Sequence, residues 1–236
     1  MLSRSAFTLW RMIHAVAMYV VVGLALWMIF VYVPSEKGQG LVQRIFYFHV
    51  SSTFTMSLAG LVAFVASIIY LWKKAPRWDN IAMSAVEIGT LFCALVLITG
   101  SIWARPIWGV WWTWDPPLTL TLVLWLIYVA YLMLRANVQD DTKRARFAAV
   151  LAIVGGVDIF LIYLSIRMWR TLHPKPIVIQ EGGTTGLPPS MFWTLMVCFV
   201  AFLLLFFYLL RERVFLAQSR HDLEIIRQEI DDTLKG

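Results

Sequence analysis

The chain has 236 residues, of which 60% are hydrophobic and only 14% charged. Soluble domains carry about 25% charged residues, so this balance argues against a freely soluble protein and for a membrane one. Lys and Arg outnumber Asp and Glu by 20 to 14. The basic residues lie between apolar runs, which fits cytoplasmic loops and gives no sign of a nucleic-acid partner.

A spanning helix needs roughly 20 mostly apolar residues. Six stretches meet that length in outline: Met12–Val33, Ile45–Trp72, Ile81–Trp103, Leu118–Leu134, Phe147–Arg167 and Met191–Leu210. The first is too long for a signal-peptide core and lacks a clear small-residue cleavage site, so it is expected to stay as a helix. With the N-terminus inside, the inner segments carry Arg4, Arg11, Lys73, Lys74, Arg77, Arg135, Lys143, Arg144, Arg146, Arg211, Arg213, Arg220, Arg227 and Lys235, 14 cations. The outer segments carry Lys37, Arg44, Arg105, Arg167, Arg170 and Lys175, which is 6. The bias places both termini in the cytoplasm.

The expected fold is therefore an all-α integral membrane protein with six transmembrane helices and outer segments at 34–44, 104–117 and 168–190. A membrane domain over 1–213 is followed by a cytoplasmic tail over 214–236. In that tail Leu216, Leu223, Ile226, Ile230 and Leu234 recur at helical spacing among charges. It reads as a solvated helix or as a partner-docking one.

The second outer segment is the most informative. Trp103, Trp108, Trp111, Trp112 and Trp114 place five of the twelve tryptophans within twelve residues. An interfacial belt spreads its aromatics over many helix ends. This concentration instead suits a platform for something large, flat and partly apolar, with indole N–H groups at its edge. Asp115 followed by Pro116 reads as an N-cap and first turn, launching the fourth helix.

The four histidines separate by position. His14 and His221 fall on the cytoplasmic side. His49, near the outer end of the second helix, and His173, in the third outer segment, can both face the tryptophan platform. A lone interfacial histidine is usually structural, but two on one side of a platform favour a joint role. The only cysteines, Cys93 and Cys198, lie in apolar runs, and neither C-x-x-C nor C-x-x-C-H occurs.

The string W-G-V-W-W-T-W-D (Trp108–Asp115) closely resembles the WWD motif of the heme-handling membrane proteins. Together with G-S-I-W-A-R-P-I-W-G (Gly100–Gly109), R-I-F-Y-F-H-V (Arg44–Val50) and W-R-T-L-H (Trp169–His173), it is similar to the CcmC family, heme exporter protein C, across most of the membrane region. That resemblance implies transient binding of heme b at the outer face of the inner membrane during c-type cytochrome biogenesis. It further implies handover to the heme chaperone CcmE, beside the transporter subunits CcmA and CcmB and the small protein CcmD.

Neutral imidazole is a common axial ligand of heme iron, and the family's two outer histidines fall at His49 and His173. On this reading Trp108, Trp111, Trp112, Trp114 and Asp115 contact the macrocycle edge. Arg44 and Arg105 are candidates for the propionates, since a guanidinium can hold a carboxylate bidentately; snorkelling to lipid headgroups is the alternative for each. The chain departs from the family at Pro117, where members often carry Arg.

No Walker A motif occurs, so any ATP dependence belongs to a partner. A heme lyase or transferase and a b-type electron carrier are the alternative classes. Glu87 and Asp158 are carboxylates inside apolar helices, placed there for function or for interhelical hydrogen bonds.

Overall fold

The computed structural model describes residues 4–174 and 185–235. It contains helices α1 (Arg4–Trp27), α2 (Ile45–Lys73), α3 (Pro76–Trp108), α4 (Pro116–Asn137), α5 (Asp141–Met168) and α6 (Pro189–Lys235). A π-helical turn, Met28–Tyr32, prolongs α1, and a 3-10 turn, Leu41–Arg44, leads into α2. Six helices are long and apolar enough to cross a membrane, and no strand occurs among the described residues.

The helices exceed the apolar runs where polar residues hid their ends. The third begins at Pro76 instead of Ile81, with Pro at its first position and Asp79 in its first turn. Proline fits there because the first N–H groups of a helix have no internal partner. The same helix runs five residues past Trp103, through Arg105 and Pro106, to Trp108. The expected outer loop over 104–117 is thus helical in its first part. Gly109 ends the helix with φ +78°, its N–H donating to the Arg105 carbonyl at 3.0 Å. Helix α6 runs without a break through residues 213 and 214 to Lys235.

The central cluster gathers α2, α3, α4 and α5 around Met56, Ala59, Ala63, Val86, Phe92, Leu124, Tyr128 and Ala152, with Phe206 added from α6. Small residues allow helix backbones to approach closely. Tyr128 fills the space they leave: a Cβ on Gly155 would lie 2.7 Å from its Cε1, and one on Gly60 2.7 Å from its hydroxyl. A second cluster seats α1 against α6 through Ala25, Ile29, Leu195, Cys198 and Ala201, and continues to Phe46 and Tyr47 of α2. One face of α1 is widely exposed, as Trp10, Val16, Tyr19 and Val20 show, consistent with a peripheral helix facing lipid.

The end of the bundle opposite the tryptophans is tied by ion pairs. Arg135 of α4 holds Asp79 of α3 with two hydrogen bonds of 2.6 and 2.8 Å. Arg213 of α6 donates to Glu87 of α3 at 2.6 Å, and Arg11 of α1 donates to Glu212 of α6 at 3.1 Å. His14 belongs here too, with Nε2 donating to the Leu204 carbonyl at 3.0 Å. Glu87 therefore has an interhelical partner, which gives it a structural role. Asp158 differs: it is 6% exposed, and its Oδ2 is buried without a hydrogen-bond partner among the described residues.

Candidate functional site

His49 sits one turn into α2 and leans on α3. Its Nδ1 lies 3.1 Å from the Thr99 hydroxyl. That hydroxyl is 2.6 Å from the Leu95 carbonyl and donates to it. A hydroxyl has one hydrogen, so with it committed to Leu95, Nδ1 must carry the imidazole hydrogen and donate to Thr99. Nε2 keeps its lone pair. The ring fits against α3 because Gly100 has no side chain: a Cβ there would lie 3.0 Å from His49 Cε1.

Trp103, one turn further along α3, closes on the same ring edge-to-face, with centroids 5.8 Å apart. It also meets Phe46 at 6.0 Å. Its Nε1–H donates to Gln39 Oε1 at 3.1 Å. Gln39 belongs to a tight turn in which the Glu36 carboxylate accepts the N–H groups of Gly38 (2.9 Å) and Gln39 (2.6 Å). Those two donors hold the Glu36 carboxyl below its usual range. A chain of contacts thus runs from a surface turn through Trp103 to His49.

His173 is placed by different means. It lies in the segment after α5, and its Nδ1 is 3.0 Å from the Pro174 carbonyl. A carbonyl only accepts, so Nδ1 again carries the hydrogen and Nε2 again keeps a lone pair. Asp115 fixes the approach of this segment: its Oδ2 accepts the Leu172 N–H at 3.0 Å and faces the Thr113 hydroxyl at 3.3 Å. Asp115 does stand at the N-cap position of α4, and its carbonyl accepts the Thr119 N–H, but its side chain does not cap the helix. It ties two loops together instead.

Burial pushes the His173 ring below the usual histidine range, against the Pro174 carbonyl and the Asp115 carboxylate, which favour its charged form. Two neutral rings with open Nε2 lone pairs form a donor set suited to a metal that offers two axial positions. Among the described residues no group of three or more His, Cys, Asp or Glu is placed to hold a bare ion.

The tryptophans divide into two sets. Trp108 ends α3 and is half-buried, while Trp111 and Trp114 are 58% and 75% exposed. Trp112 packs edge-to-face on Trp114 at 5.8 Å, and its Nε1–H is buried without an acceptor among the described residues. An orphaned indole donor beside exposed indole faces fits a flat ligand with polar groups at its rim.

The arginines are committed elsewhere in part. Arg44 lies over the Phe30 ring, 5.5 Å from its centroid. Arg105 donates to the Gly109 carbonyl, bracing the start of the tryptophan segment. Pro117 is buried in the first turn of α4. Lys175 lies outside the described residues. The sequence reading missed Thr99, Gly100 and Trp103 as partners of His49. The signal was their 99–100–103 spacing, which puts the three on one side of α3.

The family model for heme exporter protein C matches residues 2–230. A protein of that name from Bradyrhizobium diazoefficiens is 38% identical over 173 residues, 73% of this chain and 65% of the relative. The match thus spans just under two thirds of that relative's length. The Escherichia coli K12 protein of the same name is 32% identical over 168 residues, 70% of this chain and 68% of the other. A protein from Marchantia polymorpha, named as a ccmC-like mitochondrial protein of cytochrome c biosynthesis, is 31% identical over 182 residues, 76% of each. With a family match over nearly its whole length, an all-helical membrane bundle and relatives on this scale, the chain belongs to the heme exporter protein C family.

Proposed function

We propose that this protein binds heme b as cargo at the tryptophan end of the bundle and presents it for c-type cytochrome biogenesis. That end faces the extracytoplasmic side of the inner membrane, since the opposite end carries most of the cations. His49 and His173 supply the axial ligands through Nε2. The carrying observation is that both rings, at the tryptophan end of the bundle, have Nδ1 tied to a fixed acceptor and Nε2 without a partner among the described residues.

The remaining residues set how the cargo is held. Trp112 offers its buried indole N–H to the rim, and Trp108, Trp111 and Trp114 offer ring faces. Beyond the Phe30 ring and the Gly109 carbonyl, Arg44 and Arg105 have further N–H groups to offer the propionates. Bound heme supplies an iron with two axial positions and a broad apolar face. The protein orients it and leaves an edge toward solvent.

Exposure of Trp111 and Trp114 favours presentation to a second protein over permanent retention between helices. CcmE fits as the recipient, with CcmA, CcmB and CcmD as the assembly around it. The chain acts by delivery and handover.

The test is to express the protein with ample heme, purify it in mild detergent and record oxidised and reduced spectra. His49→Ala and His173→Ala should each shift or abolish the heme bands. Wild-type protein that acquires no heme even with its partner subunits present overturns the proposal.

A further inference from the structure

We propose that Thr99 is a positioning residue for His49, fixing the imidazole tautomer that leaves Nε2 available to iron. The inference rests on heme ligation by His49 and deepens it.

Three observations carry it. First, the Thr99 hydroxyl is a relay with one defined direction. It donates to Leu95 at 2.6 Å, so toward His49 at 3.1 Å it can only accept. An isolated neutral imidazole can place its hydrogen on either nitrogen, and the hydrogen bond at one nitrogen decides which. Thr99 decides it in favour of Nδ1–H. The opposite tautomer would set two lone pairs against each other at Nδ1 and place a hydrogen where the metal must bind.

Second, the ring cannot turn away from this arrangement cheaply. Gly100 leaves a notch in which His49 Cε1 sits, and Trp103 closes the far side at 5.8 Å. Flipping the imidazole would bring a carbon to the Thr99 hydroxyl and lose the hydrogen bond. Thr99, Gly100 and Trp103 therefore act as one holder, in which Thr99 supplies the polar selection and the other two supply shape.

Third, the two ligands are tied off by unlike acceptors. His173 has a backbone carbonyl, which mutation of a side chain cannot remove. His49 has the Thr99 hydroxyl at 3.1 Å with the Val96 carbonyl also within reach of the ring, and the hydroxyl can be deleted without changing the volume at that position. A threonine on a lipid-facing bundle often only bonds its own helix, as Thr55 does to Ser51 and Thr90 to Val86. Thr99 differs in also meeting a ring nitrogen.

Outer-shell partners of metal-ligating histidines change metal affinity by about 10- to 100-fold when removed. Thr99→Val should therefore weaken heme retention about 10-fold or more and shift the heme midpoint potential. Thr99→Ser should restore both, because it keeps the hydroxyl. A second readout needs no heme: nitrogen NMR of the heme-free, histidine-labelled protein, with His49→Ala as the assignment control. Wild type and Thr99→Ser should show His49 in the Nδ1–H form, and Thr99→Val a mixture of tautomers.

Thr99→Val with wild-type heme retention and an unchanged His49 tautomer overturns the proposal. So does a loss that Thr99→Ser fails to restore, since shape and not the hydroxyl would then be at work. Failure of the underlying reading looks different: His49→Ala would leave the heme spectrum unchanged, and Thr99 would then have no iron ligand to position.

Discussion

The Asp115 carboxylate accepts the Leu172 N–H at 3.0 Å, one residue before His173. The last residue of the tryptophan motif thus reaches across 57 positions of sequence to hold the loop of the second candidate ligand. Its side chain makes no cap on α4. Asp115→Ala should therefore cost the heme-free bundle less than the ~1 kcal/mol typical of a lost cap. Heme retention should fall about 10-fold, the scale for an outer-shell partner. Asp115→Asn keeps an oxygen acceptor and should fall less. Thermal unfolding of the heme-free protein and heme titration, measured on the same samples, separate the two effects. A large melting shift with unchanged heme binding would return Asp115 to a purely helical role.

The bundle was legible in the sequence because hydropathy reports burial in lipid directly. The α2 start at Ile45 coincides with the start of its apolar run. The ends of α3 were hidden for opposite reasons. Asp79 at its start is paired with Arg135, a partner 56 residues away. Pro106 near its other end removes only one N–H, which the last turn tolerates before Gly109 stops the helix. The candidate site was legible only as a combination of residue types, His49 and His173 beside the tryptophan cluster, since a lone histidine there would read as structural. Its holders were not. Thr99 and Gly100 look like any other polar or small residue on a membrane helix until α2 is laid against α3.

Arg135 and Asp79 provide a test of what holds the far end together. Their side chains are 11% and 14% exposed and are joined bidentately. Removing one partner of a buried pair costs about 3–5 kcal/mol, because the other charge is left without compensation. Arg135→Leu should lower the unfolding temperature clearly in detergent, and Asp79→Asn on the same background should recover part of the loss. The Arg213–Glu87 pair is more exposed, at 36% and 26%, so Arg213→Leu should cost less. Equal losses for the two arginine variants would show that burial does not set the ranking.

Gly155 tests the packing around Tyr128. A Cβ there would lie 2.7 Å from Cε1 of the ring, and Tyr128 is fully buried, so neither the ring nor the helix can yield easily. Overpacking of this kind costs about 1–3 kcal/mol. Gly155→Ala should therefore destabilise the bundle while leaving the heme spectrum as it was. The companion change Tyr128→Phe removes the hydroxyl, which has no partner among the described residues, and should be nearly neutral. A heme spectrum altered by Gly155→Ala would mean that the central cluster and the tryptophan end are mechanically coupled.

The pH response of the site follows from His173. A histidine ligates iron only when neutral, so protonation competes with binding as pH falls. Burial holds the His173 ring below the usual histidine range, so its neutral form persists to lower pH than that of a free imidazole, which titrates near ~6.5. The sign for stability runs the same way. The unfolded chain protonates His173 first as pH falls, so the half-buried neutral ring costs stability below its unfolded value and nothing well above it. Heme ligation should accordingly survive acidification past the ordinary histidine range. Asp115 pulls in the opposite direction by favouring the charged ring, so Asp115→Asn should move the acid loss of ligation to still lower pH even as it weakens retention at neutral pH. Spectra recorded through an acid titration of wild type and Asp115→Asn read both effects. A wild-type midpoint at or above the free-imidazole value would show that His173 is more hydrated than its packing indicates.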